Sequence, residues 1–317
     1  MILKEEIEKY LQYCRFQKGL DEKTIRAYRG DLEQFAEFMQ EYEGVLSKQV
    51  LSMYVVNLQQ KYKKKSIKRK LASIKALFNY LVDEEVIEVN PFYMIKIRVK
   101  EEFILPKVIP KNQIEQLLKY LYQMVNTEMM SVYRKKILIR DIAVIEMLFA
   151  TGMRISELCN LQNNAFDMKN GVLYIRGKGA KERYLQIGND KVLKVLFTYK
   201  EIFKEDIKKH GYFFVNRYGM PLSEQSARKM IHKHTQVAIG DINITPHMFR
   251  HSFATFLMEE DVNIRYIQKM LGHSSITTTQ IYTYVTVEKE KEILRTKHPR
   301  NKMCIEDEKE EFVNFND

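Results

Sequence analysis

Residues 137–150 read ILIRDIAVIEMLFA, a run apolar on nearly every side of a helical wheel. Such a helix has no solvent face and must lie in the middle of a packed core. The rest of the chain therefore has to supply elements that surround it. The run ends in Thr151-Gly152-Met153-Arg154, where glycine permits a sharp turn and presents Arg154 at the base of a short helix, residues 155–161. An arginine beside a buried helix needs a partner. Glu157, three residues on, can be a simple salt-bridge partner. Alternatively, the guanidinium faces a phosphate and Glu157 steadies it from behind.

With 317 residues, 45% of them apolar, the chain can bury a sizeable core and is expected to form two domains. Its net charge of +11 is uneven. Residues 106–299 carry the excess, residues 1–105 are only weakly basic, and the last eighteen are acidic. This balance favours a polyanionic partner, because neutralising phosphates releases condensed counterions. A merely solvated basic surface is the alternative. Cys14, Cys159 and Cys304 are too few and scattered for a disulfide framework or zinc cluster. With an acidic N-terminal stretch and no long apolar run, a cytoplasmic protein without membrane contact is expected.

Residues 1–85 show helical periodicity, with Asp21, Ser47 and Ser66 as N-caps and a core stripe of Ile25, Leu32 and Phe35. Four short helices predict a small bundle. Residues 61–70, KYKKKSIKRK, hold seven Lys or Arg. Lys65, Arg69 and Lys75 are thus candidates to track a DNA backbone, against the alternative of a solvated face. Asn90-Pro91, Pro106 and Pro110 interrupt the helical pattern, placing a linker and a domain boundary near residue 105.

Beyond it, a helix over 112–125 precedes an expected surface loop, 126–134, and the buried run. Residues 171–188 predict two strands, Val172–Arg176 and Arg183–Ile187, around a glycine-rich turn with Lys178 at its tip. Lys178, Lys181 and Arg183 can either solubilise the hairpin or meet a DNA backbone. Helices are expected over 189–208 and 223–238, with a short strand at 212–215 between them. His247 and His251 share a helical face, but no third ligand is evident, so neither a metal nor any other cofactor is expected.

Residues 245–285 concentrate His247, Arg250, His273 and Tyr282. Phosphodiester cleavage needs charge stabilisation, a nucleophile and an acid for the leaving oxygen. Arg154 and Arg250 can fork onto non-bridging oxygens with His273 as a further donor. His247 can accept the proton of Tyr282 as it attacks, and Lys178 can protonate the 5′ oxygen.

The segments TGMRISEL, GKGAKER, HMFRHSFAT and LGHSSITTTQIYT resemble the signature boxes of the tyrosine recombinase (phage integrase) family, most of all its Xer-type members. The resemblance runs over about residues 5–290 and includes TIRAYRGDLEQF and SIKRKLASIKALFNYL. It implies a mainly α fold: a helical, SAM-like core-binding domain at 1–105 and a catalytic domain with a small antiparallel sheet at 106–299; the acidic tail, 300–317, has no counterpart in the family pattern and is expected from its charge to be disordered. The catalytic set it implies is Arg154, Lys178, His247, Arg250, His273 and Tyr282, with Tyr282 rather than Tyr284 as nucleophile. It further implies a 3′-phosphotyrosine intermediate, no ATP, a clamp round duplex DNA, a homo- or hetero-tetramer on paired sites, and a Holliday junction. A catalytically silent DNA-binding clamp and a relaxing type IB topoisomerase-like enzyme are the alternatives.

Overall fold

The computed structural model describes residues 3–95, 107–127, 130–176, 182–240, 242–272 and 287–303. The chain separates into two compact units, Met1–Ile104 and Leu105–Asp317. Among the described residues, no helix is long and apolar enough to cross a membrane.

The first unit holds four helices, α1 (Leu3–Phe16), α2 (Glu22–Gln40), α3 (Lys48–Lys61) and α4 (Lys64–Asp83). Asp21 accepts from the Thr24 amide at 2.8 Å and Ser47 from Val50 at 3.2 Å, satisfying otherwise orphaned amides at the starts of α2 and α3. The third expected cap is different. α4 starts two residues before Ser66, behind Lys63, which makes no side-chain cap. Its apolar stripe, Ile67, Leu71, Ile74 and Phe78, is what seats it. Phe35 lies edge-on to Tyr54 and Phe78 at the centre of the bundle. Asn90 turns the chain out of it, accepting from Phe92 at 2.9 Å and so capping a short 3-10 turn, Pro91–Met94.

The basic run is partly structural. Lys70 is buried and donates to Asp31 at 3.0 Å and Gln34 at 2.6 Å, and Arg69 pairs with the same buried Asp31. Arg69, expected to follow a DNA backbone, ties α4 to α2 while its side chain stays 46% exposed. Lys65 is exposed and Lys75 half-buried.

The second unit is built around α6 (Val132–Thr151), whose residues from Leu138 to Thr151 are all buried. It packs against α5 (Lys111–Val125), α8 (Asp190–Ile202), α10 (Glu224–Ile239) and α11 (Pro246–Glu259). The expected loop 126–134 is shorter than the spacing suggested. Ser131 accepts from the Arg134 amide, so helix begins at Val132. The buried charged residues of α6, Arg140, Asp141 and Glu146, each have a partner. Arg140 donates twice to Asp141, whose other oxygen accepts from His234 at 2.9 Å, while Tyr122 donates to Glu146 at 2.8 Å.

Between α7 (Ile155–Cys159) and α8 lies a three-stranded antiparallel sheet, β1 (Phe166–Asp167), β2 (Val172–Arg176) and β3 (Glu182–Gln186), in that order. Alternation sends Leu173, Ile175 and Leu185 into the core and leaves Tyr174 and Tyr184 paired on the outer face. The expected strand at 212–215 is absent as such: Tyr212 and Val215 make isolated bridges to Gln162 and Pro221. The expected helix 189–208 breaks at Phe203 into α8 and α9 (Lys204–His210). α12 (Ile264–Leu271) and α13 (Val287–Lys297) complete the unit, with Ile293 and Leu294 packed among Phe253, Leu257, Ile267 and Leu271.

The segment expected to begin a tail at residue 300 does not start as one. His298 Nε2 donates to the Phe149 carbonyl and its Nδ1 accepts from the Arg300 amide, both at 3.1 Å. Burial pushes this imidazole down to about 4, consistent with a neutral ring that donates at one nitrogen and accepts at the other. Arg300, 2% exposed, donates to Glu146 at 3.2 Å, and Met303 joins the core. A buried carboxylate on α6 needs a cation, and the chain after α13 supplies it. Residues 304–317 lie outside the described residues. Replacing Glu146 with alanine should strand the Arg300 charge and lower unfolding stability by about 3–5 kcal/mol, read from the urea midpoint of the intact chain.

Candidate active site

Gly152 ends α6 in the left-handed conformation, φ 60°, and an added Cβ there would lie 2.7 Å from Phe253 Cδ1. Only glycine lets the chain turn so tightly against α11. The turn puts Arg154 at the cap of α7, where its amide donates to Glu157 Oε2 at 2.8 Å and its Nη1 to Oε1 at 2.9 Å. The Arg154 side chain keeps 39% exposure. Both readings of this pair thus have a place: the carboxylate holds the guanidinium from behind, and the remaining N–H groups stay open.

Arg250, on α11, is 5% exposed. It donates to the Gly152 carbonyl at 2.8 Å and the Leu271 carbonyl at 2.6 Å, the ends of α6 and α12. Those carbonyls have no partner inside their own helices, and the dipoles there favour a cation. Burial first, then the neighbouring Arg154 charge, pulls the Arg250 guanidinium down to about 10. Arg250 sits on the Gly152 carbonyl and Arg154 follows two residues later at the start of α7, so both arginines surround one turn and share an electropositive basin. His247 projects from the first turn of the same helix and is exposed, as is His251 one turn on. Burial, His247 and Arg250 each lower the His251 pKa.

Arg183, expected to face a DNA backbone, turns inward instead. Its Nη1 and Nη2 donate to the two oxygens of Glu157 at 2.9 and 2.8 Å, and its Nε donates to the Met270 carbonyl at 3.2 Å. The sequence did hold the signal. Arg183 and Leu185 alternate along β3, with Ile187 continuing the pattern just past its end, so period two puts the arginine on the apolar face. Burial raises the Glu157 pKa, but the hydrogen bonds from Arg183 and Arg154 outweigh it and leave the pKa lowered. Lys178, Lys181, His273 and Tyr282 lie outside the described residues.

The sequence profile of the phage integrase family matches residues 107–289, and that of the phage integrase N-terminal SAM-like domain matches residues 7–85. A tyrosine recombinase of Agathobacter rectalis is 50% identical over 299 residues, covering 94% of this chain and 97% of the relative. The chain belongs to the phage integrase family. It is a tyrosine recombinase, an enzyme of site-specific recombination. The tyrosine recombinase XerC of Bacillus pumilus is 31% identical, with 92% of this chain and 95% of that one covered. Among solved structures, the XerH site-specific recombinase bound to palindromic difH substrate in a post-cleavage complex superposes with a TM-score of 0.65 at 22% identity, covering 85% of this chain and 77% of that one.

In this phage integrase fold the family boxes TGMRISEL and HMFRHSFAT become α6-to-α7 and α11, which meet at the Gly152 carbonyl. A Gly152→Ala protein should lose about 1–3 kcal/mol of stability from the forced contact with Phe253 and the left-handed φ, measured by thermal or urea unfolding. The Glu157 pair adds a pH signature. A lowered carboxylate pKa contributes stability above the ordinary glutamate value of 4.5 and loses it as pH falls through the folded value. Glu157→Gln should therefore flatten the acid limb of the stability profile below about pH 4.5.

Proposed function

We propose that Arg154 and Arg250 grip the non-bridging oxygens of a scissile DNA phosphodiester, and that the full catalytic set is Arg154, Lys178, His247, Arg250, His273 and Tyr282. The observation that carries this reading is the shared basin of the two guanidiniums, each fixed from behind by protein acceptors rather than left to find its own geometry. Negative charge accumulating on a five-coordinate phosphorus meets donors already in place.

Tyr282 passes its proton to His247 and forms an O–P bond with the phosphorus. The bond from phosphorus to the 5′ oxygen breaks, and Lys178 supplies the proton that makes a 5′ hydroxyl. His273 donates to a non-bridging oxygen. The 3′-phosphotyrosine retains the ester, so a 5′ hydroxyl from another strand reverses the step and restores Tyr282 without ATP. The proposed substrate is a pair of double-stranded DNA sites in the cytoplasm, exchanged by a homo- or hetero-tetramer through a Holliday junction. The named XerH relative is a complex with its difH substrate. Exposed Lys65 and Arg69, half-buried Lys75, and Lys181 are the proposed backbone contacts that position this DNA. The proposed domain assignment is core-binding up to about residue 105 and catalytic beyond it, with the acidic stretch 304–317 as a tail.

The test is a nicked duplex, with its sequence selected by this protein from a random pool, resolved on a denaturing gel after incubation. A covalent protein–DNA adduct is expected, abolished in Tyr282→Phe and slowed roughly 10²- to 10³-fold in Arg154→Ala. Tight binding with no adduct at any nick position would instead leave a silent clamp.

A further inference from the structure

Two cations share the Glu157 carboxylate, and they are not equivalent. Arg183 takes one bond to each oxygen in the planar two-pronged geometry, while Arg154 has a single side-chain bond, to Oε1, plus its backbone bond to Oε2. Four donors thus occupy a group with about four acceptor sites. Glu157 has no capacity left to take a second side-chain bond from Arg154. The Arg183 side chain is 13% exposed against 39% for Arg154, so the inner cation saturates the carboxylate and the outer one faces solvent.

The third Arg183 donor acts elsewhere. Its Nε bond to the Met270 carbonyl fixes the last turn of α12, whose next carbonyl, that of Leu271, receives Arg250. Gly272 follows in the left-handed region, φ 63°, and a Cβ there would lie 2.8 Å from Arg183 Cδ and 3.0 Å from its Nε. The missing side chain at Gly272 makes room for the Arg183 stem. One residue of β3 therefore touches the acceptor that orients Arg154 and the turn that orients Arg250.

We propose that Arg183 is a positioning residue for cleavage: by saturating Glu157 and pinning the end of α12, it keeps the Arg154 fork free for a phosphate and Arg250 in register with it. This rests on the function proposed above. Without Arg183, Glu157 is free to take Arg154 in a two-pronged pair, turning the outer guanidinium away from substrate. Lysine at 183 restores a charge but neither the fork nor the third bond.

The experiment uses the full chain and the selected nicked duplex, measuring equilibrium binding across a salt series and the single-turnover rate of adduct formation at saturating protein. Arg183→Ala is expected to bind with unchanged affinity and salt slope yet form adduct about 10²-fold more slowly. Arg183→Lys should recover only part of that rate. In a Glu157→Gln background, the loss caused by Arg183→Ala should shrink severalfold, because the competition for the carboxylate is already gone. A fall in the salt slope of about 0.9 with an unchanged rate per bound complex would make Arg183 a phosphate contact and overturn the proposal. An unchanged rate in Arg183→Ala, or full additivity with Glu157→Gln, would overturn it as well. If Arg183→Ala does not fold, the partial rate and intact salt slope of Arg183→Lys decide the same question. Failure of the wild-type protein to form any adduct would sink the underlying function, and is distinguished from these outcomes by occurring in the unsubstituted chain.

Discussion

Four hydrogen bonds converge on the carboxylate of Glu157, and the geometry of the basin follows from them. A nearly buried anion must be fully partnered, or its desolvation would unfold the region around it. Satisfying it draws together the start of α7 and the inward face of β3. Arg250 then closes the opposite side through the carbonyls that end α6 and α12. The positive charge of the site is held in place by one saturated carboxylate and by carbonyls at helix ends, which gives the preorganisation that electrostatic catalysis of phosphoryl transfer requires.

α6 makes this arrangement possible. Burying all of its C-terminal two-thirds anchors Gly152 at a depth where its carbonyl reaches Arg250. The cost of burying Arg140, Asp141 and Glu146 in that helix is offset by partners from distant segments, His234 on α10 and Arg300 after α13. Each such pair also fixes the register of the element that supplies the partner, since removing one member leaves an uncompensated charge.

Much of this was legible in the residues. Apolar periodicity located α1, α2 and α5, and an all-round apolar run located α6, because burying apolar side chains is the main driving force for folding and leaves its pattern along the chain. The caps Asp21 and Ser47 were readable for a local reason too, whereas Ser66 was misleading, since tertiary packing of Ile67 and Leu71 decided where α4 begins. Arg154 and Arg250 stood out through their motifs, and the structure brings them into one basin. The inward turn of Arg183 was encoded in strand alternation but masked by its basic neighbours. The partnerships Asp141–His234 and Glu146–Arg300 leave no local trace, because each joins residues about a hundred or more positions apart through the fold alone.

The clamp after α13 has a consequence for chemistry. His298 and Arg300 are fastened to α6 at the Phe149 carbonyl and at Glu146, and the carbonyl of Gly152, which ends the same helix, receives Arg250. One helix thus carries both the anchor of the C-terminal segment and the acceptor that seats Arg250. Loosening that anchor would shift the end of α6 beneath Arg250 without altering Arg250 itself. In this recombinase a substitution deep under the C-terminal segment can therefore act as a rate mutation at a distance.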